Sequence, residues 1–498
     1  MTLRLLQSRS GAPTAMVGDV YLHSRYDPVT EAIRFVHNLQ VPDLVDFFIL
    51  LEPGLGYCIP YLKKNFPDSK LLIVHVSDEY RECTQTHDTE AFKVWYPDNG
   101  IDLLEFLEQA IPEGTLCQLI EWKPSATAYS PVYEQLLNVI QQFLEREAAN
   151  MRTTARFGRR WLKNVFKNLA AVQHPLTFEA GHIPVIVAGA GPSLEDTILL
   201  IQKALQEGPL CIIAAASAVP ALLAHNIRPS LSVATDGGTW AAFHLIDQIR
   251  RAGPFAAGGA NPLPFPLAVT LNAKLCSQAA QVPQLLISDG SHWQARLLQK
   301  LGLPYIQLPQ RGTVSATLID LALLLSTGPV YITGMDMAHQ DLKTHARPYG
   351  LDFYLDEKVS RLYPLYSLSF KRALIDANQG ALAIYAAWFD RYFLDKGDRV
   401  RVLGQKHPRF SMLAASETIR WDTYQEPAFY MLPKKNPSLH QRPSDLVSLL
   451  IDVLQNTSDT SDLIYLQQEL SYLFTGNKKA FTIPEIIKNL AVLFNRGE

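Results

Sequence analysis

The chain has little of what usually assigns a protein quickly. Its five cysteines, Cys58, Cys83, Cys117, Cys211 and Cys276, stand singly, with no Cys-x-x-Cys spacing. That scatter excludes a disulfide framework and a zinc ribbon, and reads as small buried side chains in a reducing compartment. A formal net charge of -3 over 498 residues carries no basic excess, so nothing points to nucleic acid or to an anionic membrane surface. No uninterrupted apolar run reaches membrane-spanning length, and residues 1–9 lack the apolar core of a signal peptide. The expectation is a cytoplasmic protein with neither nucleic acid nor membrane among its partners. Its length exceeds one ordinary core and predicts two or three domains.

What is present is organised around residues 183–195. Val185 to Ala188 is a short apolar, β-branched run, as in a buried central strand. Gly189 and Gly191 permit a tight turn and close approach of backbone to a ligand. Pro192 suits the first turn of a helix, and Ser193 adds a hydroxyl before a helical pattern over 194–205. Free N–H groups at such a start are suited to a phosphate, although every α/β domain also contains plain strand-to-helix turns.

Upstream, residues 1–150 read as a first α/β domain. A helix is expected from Val29 to about Asn38, and strands over 46–52 and 70–76 flank the glycine turn Pro53-Gly-Leu-Gly-Tyr57. Acids follow at Asp78 and Glu79, a layout that S-adenosylmethionine-dependent methyltransferases also use. The third glycine of a dinucleotide fingerprint is missing, which favours a structural or acceptor-recognising role for this domain. Residues 151–182 form a helical connector with basic Arg152, Arg156, Arg159, Arg160, Lys163 and Lys167, read as a solvated face.

The second α/β domain spans 183–415. A strand ending in small residues, Ala216-Ser-Ala218, leaves room for a ligand at its carboxyl end, where open α/β sheets bind them. Residues 229–238 form a strand ending in Asp236, Gly237 and Gly238; Asp236 suits a ribose, a metal or an acceptor hydroxyl, or simply a turn. Further strands are expected near 255–257, 284–287 and 305–308. Gly312-Thr-Val-Ser-Ala-Thr317 opens a long apolar helix with hydroxyls, suited to an anion or to an ordinary N-cap. A strand then ends at Gly334-Met-Asp336, and the polar, aromatic stretch 338–372, with His339, His345 and Tyr349, reads as a cover over a site. A helix over 376–393, a last strand over 399–403, a proline-containing linker over 421–443 and a helical tail complete the chain, the region 416–498 being taken as a C-terminal helical domain. The fold class is α/β: two Rossmann-like domains plus a C-terminal α-helical region.

Taken in order, Gly189-Ala-Gly-Pro-Ser-Leu194, Ala216-Ser-Ala218, 233–238, 312–317 and Ile332-Thr-Gly-Met-Asp336 resemble the motility accessory factor (Maf) family of flagellin glycosyltransferases, with an MptE-like central region. Leu22-His-Ser-Arg-Tyr-Asp-Pro28 and Glu52-Pro-Gly-Leu-Gly-Tyr57 extend the resemblance to about residues 20–410. The central region also looks like bacterial sialyltransferases, although their turn carries asparagine where this chain has Ala190.

The resemblance implies transfer of a pseudaminic or legionaminic acid type sugar from its CMP-activated form to serine or threonine of flagellin. Gly189, Ala190, Gly191, Pro192 and Ser193 would face the donor, together with Ser217, Gly237, Gly312, Thr313 and Ser315. Asp236, Asp336, His345 and His339 would be the candidates for catalysis. No cofactor follows beyond the donor; magnesium stays open and no metal ligands are assigned. Two other classes remain: an ATP- and magnesium-dependent pterin pyrophosphokinase, and a non-catalytic flagellin-binding assembly factor.

Overall fold

The structure is a computed structural model, which describes residues 2–42, 45–83, 92–252, 263–338, 343–370, 389, 392–393, 396, 399–407, 410–421, 430–433, 442–479 and 481–495. It divides into two compact units, Met1–Gly158 with Leu470–Thr482, and Arg159–Glu469 with Ile483–Glu498.

The first unit holds a three-stranded antiparallel sheet, β1 (Leu3–Gln7), β2 (Pro13–Val17) and β3 (Val20–Tyr21). Beside it is a four-stranded parallel sheet in the order β6-β5-β4-β7, from β4 (Phe47–Leu51), β5 (Lys70–Val74), β6 (Phe92–Trp95) and β7 (Cys117–Glu121). Helix α1 (Pro28–His37) starts where expected, because Asp27 caps it by accepting from the Val29 and Thr30 amides and Pro28 sets the first turn.

The glycine turn after β4 does need glycine, with φ of 61° at Gly54 and 75° at Gly56. The space beside it is taken by the protein itself. A Cβ on Gly54 would lie 2.5 Å from His23 Nε2, and that nitrogen accepts from the Leu55 amide at 2.8 Å. The acids after β5 are engaged too: Glu79 accepts from the Leu3 amide at 2.7 Å, and Asp78 pairs with Arg81 at 3.7 Å. Groups that matched a methyltransferase layout in sequence thus serve to close the unit. Glu52, fully buried at φ 44°, accepts from the Val76 amide at 2.8 Å and lies 3.3 Å from His75 Nδ1. The His75 ring is stacked between Tyr80 and Tyr96, with centroids 4.9 and 5.0 Å away.

The second unit is built on a nine-stranded sheet in the order β14-β13-β12-β11-β10-β9-β15-β16-β17, parallel throughout. Its strands are β9 (Val185–Ala188), β10 (Cys211–Ala215), β11 (Leu231–Ala234), β12 (Leu267–Thr270), β13 (Gln284–Ser288), β14 (Ile306–Gln307), β15 (Val330–Thr333), β16 (Val400–Leu403) and β17 (Ala415–Ser416). Every residue of β9, β10, β11, β13 and β15 is buried, as a parallel sheet covered on both faces requires. The chain steps outward from β9 to β14, returns through a long helix, and places β15 on the other side of β9. That reversal makes the β9–β15 boundary a switch point, where the loops leaving two neighbouring strands diverge.

The segment expected as a strand near 255–257 lies outside the described residues, and β12 was not anticipated. Strand β18 (Tyr430–Pro433) pairs antiparallel with β8 (Leu176–Glu179), inside the stretch read as a linker; the pairing joins segments more than two hundred residues apart, which no local pattern announces. The helical tail is present as Pro443–Asn456, Thr460–Thr475 and Ile483–Asn495. Among the described residues no helix is long and apolar enough to cross a membrane.

Among the described residues no disulfide joins any of the cysteines. Burial pushes the Cys58 thiol up to about 12 and raises that of Cys211 as well. Since the thiolate is the nucleophile, iodoacetamide at pH 8 should leave Cys58 and Cys211 unmodified in the native protein and label them after denaturation. Mass spectrometry of the labelled peptides checks this, and native labelling of either would contradict its burial.

Candidate active site

The carboxyl ends of the parallel strands carry nearly every residue singled out in the sequence. Gly189 to Ser193 follow β9, Ser217 follows β10, Asp236 and Gly237 follow β11, Gly312 and Thr313 follow β14, and Asp336 follows β15. A parallel sheet places all these loops along one edge.

At the switch point the turns after β9 and β15 are packed backbone to backbone. The Gly189 amide donates to Thr333 O at 2.8 Å and the Gly191 amide to Gly334 O at 2.7 Å. A Cβ on Gly189 would lie 2.2 Å from Gly334 O, and one on Gly191 2.0 Å from Asp336 Oδ2. These glycines therefore make room for the β15 loop, and not for a ligand as the sequence suggested. Helix α7 (Ser193–Glu207) begins with its Ser193 amide donating to Asp336 Oδ2 at 3.1 Å. The expected phosphate position is thus filled by a carboxylate, which the helix dipole favours in the same way. Asp336 serves here as the cap of α7. It is held by a tightly turned backbone, with positive φ at Gly334 (65°) and Met337 (49°).

Residues 343–347, in the segment after β15, lie against this turn. The Ala346 amide donates to Ala190 O at 2.8 Å, the Arg347 amide to Glu195 Oε1 at 2.9 Å, and Lys343 Nζ to Glu195 Oε2 at 2.7 Å. Burial raises the Glu195 pKa, but the hydrogen bond from the Lys343 ammonium, the Arg347 amide and both positive charges outweigh it and hold the carboxyl below its ordinary value. His345 is half-buried in the same segment, stacked on Tyr349 with centroids 4.0 Å apart, its Nδ1 2.9 Å from Thr344 Oγ1. His339 lies outside the described residues.

Asp236 is exposed, and its Oδ1 accepts from the Gly238 amide at 2.7 Å, the Asx turn that the Asp-Gly pair allows. The loop is supported from below by the end of α6 (Ser130–Ala171), whose residues from Arg159 onward belong to this unit. Asn164 Nδ2 donates to Gly237 O at 3.1 Å and to Asn272 O at 3.0 Å; Asn168 Nδ2 donates to Leu271 O at 2.9 Å and to Ala273 O at 2.8 Å. Trp161 fills the place where a Gly237 side chain would go, 2.4 Å from its Cβ position. Trp161 was read as packing inward, but Asn164 and Asn168 were not singled out; two asparagines four apart on one face were the available signal.

Helix α9 (Ala241–Arg251) follows the Asp236 loop and presents His244, which sequence reasoning missed. Its Nε2 lies 3.5 Å from the Tyr349 hydroxyl, and its ring centroid 5.0 Å from that of Tyr349. Burial lowers the His244 pKa from its ordinary value, while the charges of Asp236 and Asp247 oppose the shift.

Helix α11 (Val314–Leu325), which packs against β9, β10, β11 and β15, starts after Thr313, whose hydroxyl makes no cap hydrogen bond among the described residues. Gly312 has φ of 73° and Ser315 is buried. Asp236 and Asp336 leave strands three positions apart, in the order β11-β10-β9-β15, so roughly 14 Å separates those strands at the usual spacing. Among the described residues no group of three histidine, cysteine or acidic side chains converges as a metal site.

This arrangement defines a class before any individual relative: an open parallel α/β unit whose loops gather along the carboxyl edge of the sheet. Residues 159–342 match the model of the 6-hydroxymethylpterin diphosphokinase MptE-like family, and the match begins where the second compact unit does. The chain is 25% identical over 336 residues to an uncharacterized protein of Treponema pallidum (strain Nichols), covering 67% of this chain and 70% of that one. A second uncharacterized protein of the same organism is 25% identical over 214 residues, 39% of this chain and 70% of that one. Among solved structures, the Maf glycosyltransferase from Magnetospirillum magneticum AMB-1 superposes with a TM-score of 0.50 at 14% identity, over 99% of this chain and 85% of that one. The chain thus carries an MptE-like domain within the fold of a Maf glycosyltransferase.

Proposed function

We propose that the protein is a glycosyltransferase that moves a nonulosonic acid, of the pseudaminic or legionaminic type, from its CMP-activated form to serine or threonine of flagellin. The observation that carries this reading is the likeness to a Maf glycosyltransferase over nearly the whole chain, both units included. In this reaction the start of α11, with Gly312, Thr313 and Ser315, offers donors to the phosphate or sugar carboxylate. Ser217, Asp236 and Gly237 line the same edge, and Asp336 positions the turn from Gly189 to Ser193. A pterin pyrophosphokinase is the second reading, favoured by the family matched over 159–342. It would use Asp236 and Asp336 to hold magnesium with ATP, and the spacing of their strands speaks against one shared ion.

A thermal-shift panel of CMP, CDP, ATP with magnesium, and S-adenosylmethionine separates these readings, because a ligand that binds only the folded protein stabilises it by RT ln(1 + [L]/Kd). CMP is expected to raise the midpoint at millimolar concentration, which justifies an intact-mass assay on purified flagellin. A shift with ATP and magnesium alone would move the assignment to the pyrophosphokinase, one with S-adenosylmethionine to a methyltransferase in the first unit, and no shift at all to a binding protein. Asp236→Ala is expected to abolish transfer with the fold retained; full transfer by that variant would remove Asp236 from the site.

A further inference from the structure

Sugar transfer to a hydroxyl needs a group to take the hydroxyl proton, and the three described residues among those expected for it are engaged elsewhere. Asp336 caps α7 through Oδ2, Asp236 is committed at Oδ1 to the Gly238 amide, and the His345 ring lies flat against Tyr349. On the proposed glycosyltransferase reading, we propose that His244 is the general base, accepting the proton of the incoming hydroxyl at Nε2.

The placement argues for that atom. His244 Nδ1 is buried and has no hydrogen-bond partner among the described residues, so proton traffic with substrate or solvent runs through Nε2. Nε2 points toward the Tyr349 hydroxyl at 3.5 Å, longer than a good hydrogen bond, and a hydroxyl arriving at this seam would meet a nitrogen that is not tightly engaged. The ring is fixed from behind: a Cβ on Gly350 would come within 2.9 Å of Nδ1.

The groups facing the ring from each neighbouring element are suited to the cycle. Asp236 lies on the loop leading into α9, and Asp247 lies one turn along the helix, paired with Arg250 at 3.2 Å and Arg251 at 2.8 Å. Tyr349 and, beyond it, His345 come from the cover segment. Burial favours the neutral imidazole, and the charges of Asp236 and Asp247 favour the imidazolium.

The step balances. The acceptor O–H proton passes to Nε2 while the oxygen forms its bond to the anomeric carbon. The anomeric carbon–oxygen bond to phosphate breaks, its electron pair leaves with CMP, and the imidazolium then releases the proton to solvent. A carboxylate on the Asp236 loop also suits the positive charge that develops at the anomeric carbon.

The test compares wild type with His244→Gln and His244→Asn, each first shown by circular dichroism to be folded, using CMP-activated pseudaminic acid with purified flagellin or with azide. Azide is already an anion and needs no base. The proposal expects hydroxyl transfer to fall by about 100-fold or more, while azide-dependent release of CMP and the Kd for CMP stay within about twofold of wild type. Hydroxyl transfer should also lose its acidic limb, the fall in rate as pH drops through the histidine's titration. Hydroxyl transfer within tenfold of wild type, or an equal loss with azide, would overturn His244 as the base and leave the glycosyltransferase reading standing. A wild-type protein that consumes no CMP-activated sugar with either acceptor overturns that reading, and the role of His244 falls with it.

Discussion

Gly334→Ala is expected to cost the second unit more than about 3 kcal/mol of stability, placing it in the severe tail of single substitutions. Two effects add. Gly334 has φ of 65°, and a left-handed conformation costs alanine roughly 1–2 kcal/mol. The new Cβ would also sit 2.2 Å from Gly189 O and 2.8 Å from Gly189 C, and neither atom can move away cheaply. Gly189 is tied to Thr333 O at 2.8 Å, and Gly191 to Gly334 O at 2.7 Å, so relief means parting the two loops that form the switch point. Gly302→Ala supplies the control within the same unit. It has φ of 62°, but a Cβ there meets nothing within 4 Å, so only the backbone strain applies. Urea melts of the two variants should differ by at least about 2 kcal/mol. Equal losses would mean that the close packing at the switch point is not what these glycines serve.

That comparison shows how much of the site the sequence discloses. The Gly189-Ala-Gly-Pro-Ser turn was legible as a strand-to-helix turn, because β-branched residues, glycines and proline act locally and in register. What the glycines accommodate was not legible. A close-approaching ligand and a close-approaching loop impose the same residue choice, and the group that settles it, Asp336, is 143 positions away from Ser193. His244 was missed for a similar reason. It sits on an amphipathic helix with no flanking motif, and its interest comes from Tyr349, 105 positions further on. Most strands of the nine-stranded sheet were found as strands, as were β4 and β5, whereas β1, β2, β6, β7, β12 and β18 were not. The last is defined by its pairing with β8. In the first unit the glycine turn was read as a turn, but the acids after β5 were read within a methyltransferase-like layout, and the groups that occupy both, His23 and the Leu3 amide, were not legible locally.

The two asparagines of α6 test whether the Asp236 loop is held or merely adjacent. Asn164 and Asn168 are buried, and each Nδ2 donates to two backbone carbonyls from the loops after β11 and β12. Asn164→Asp keeps the shape but replaces the donor by an acceptor, turning a carboxylate toward Gly237 O and Asn272 O. A buried charge facing two carbonyls costs more than a missing hydrogen bond, so Asn164→Asp should destabilise by more than Asn164→Leu. The latter should lose about 1–3 kcal/mol from the carbonyls left unpaired. Both should reduce sugar transfer beyond what their stability loss explains, because Gly237 follows Asp236 directly and Lys274 N donates to Asp236 O at 2.9 Å. Urea melts give the stability order, and kcat against KM at a temperature where both variants stay folded gives the rest. If Asn164→Asp matches wild type in stability, the amide is not holding these loops. If transfer by Asn164→Leu is undiminished, the position of Asp236 does not depend on the helix beneath it.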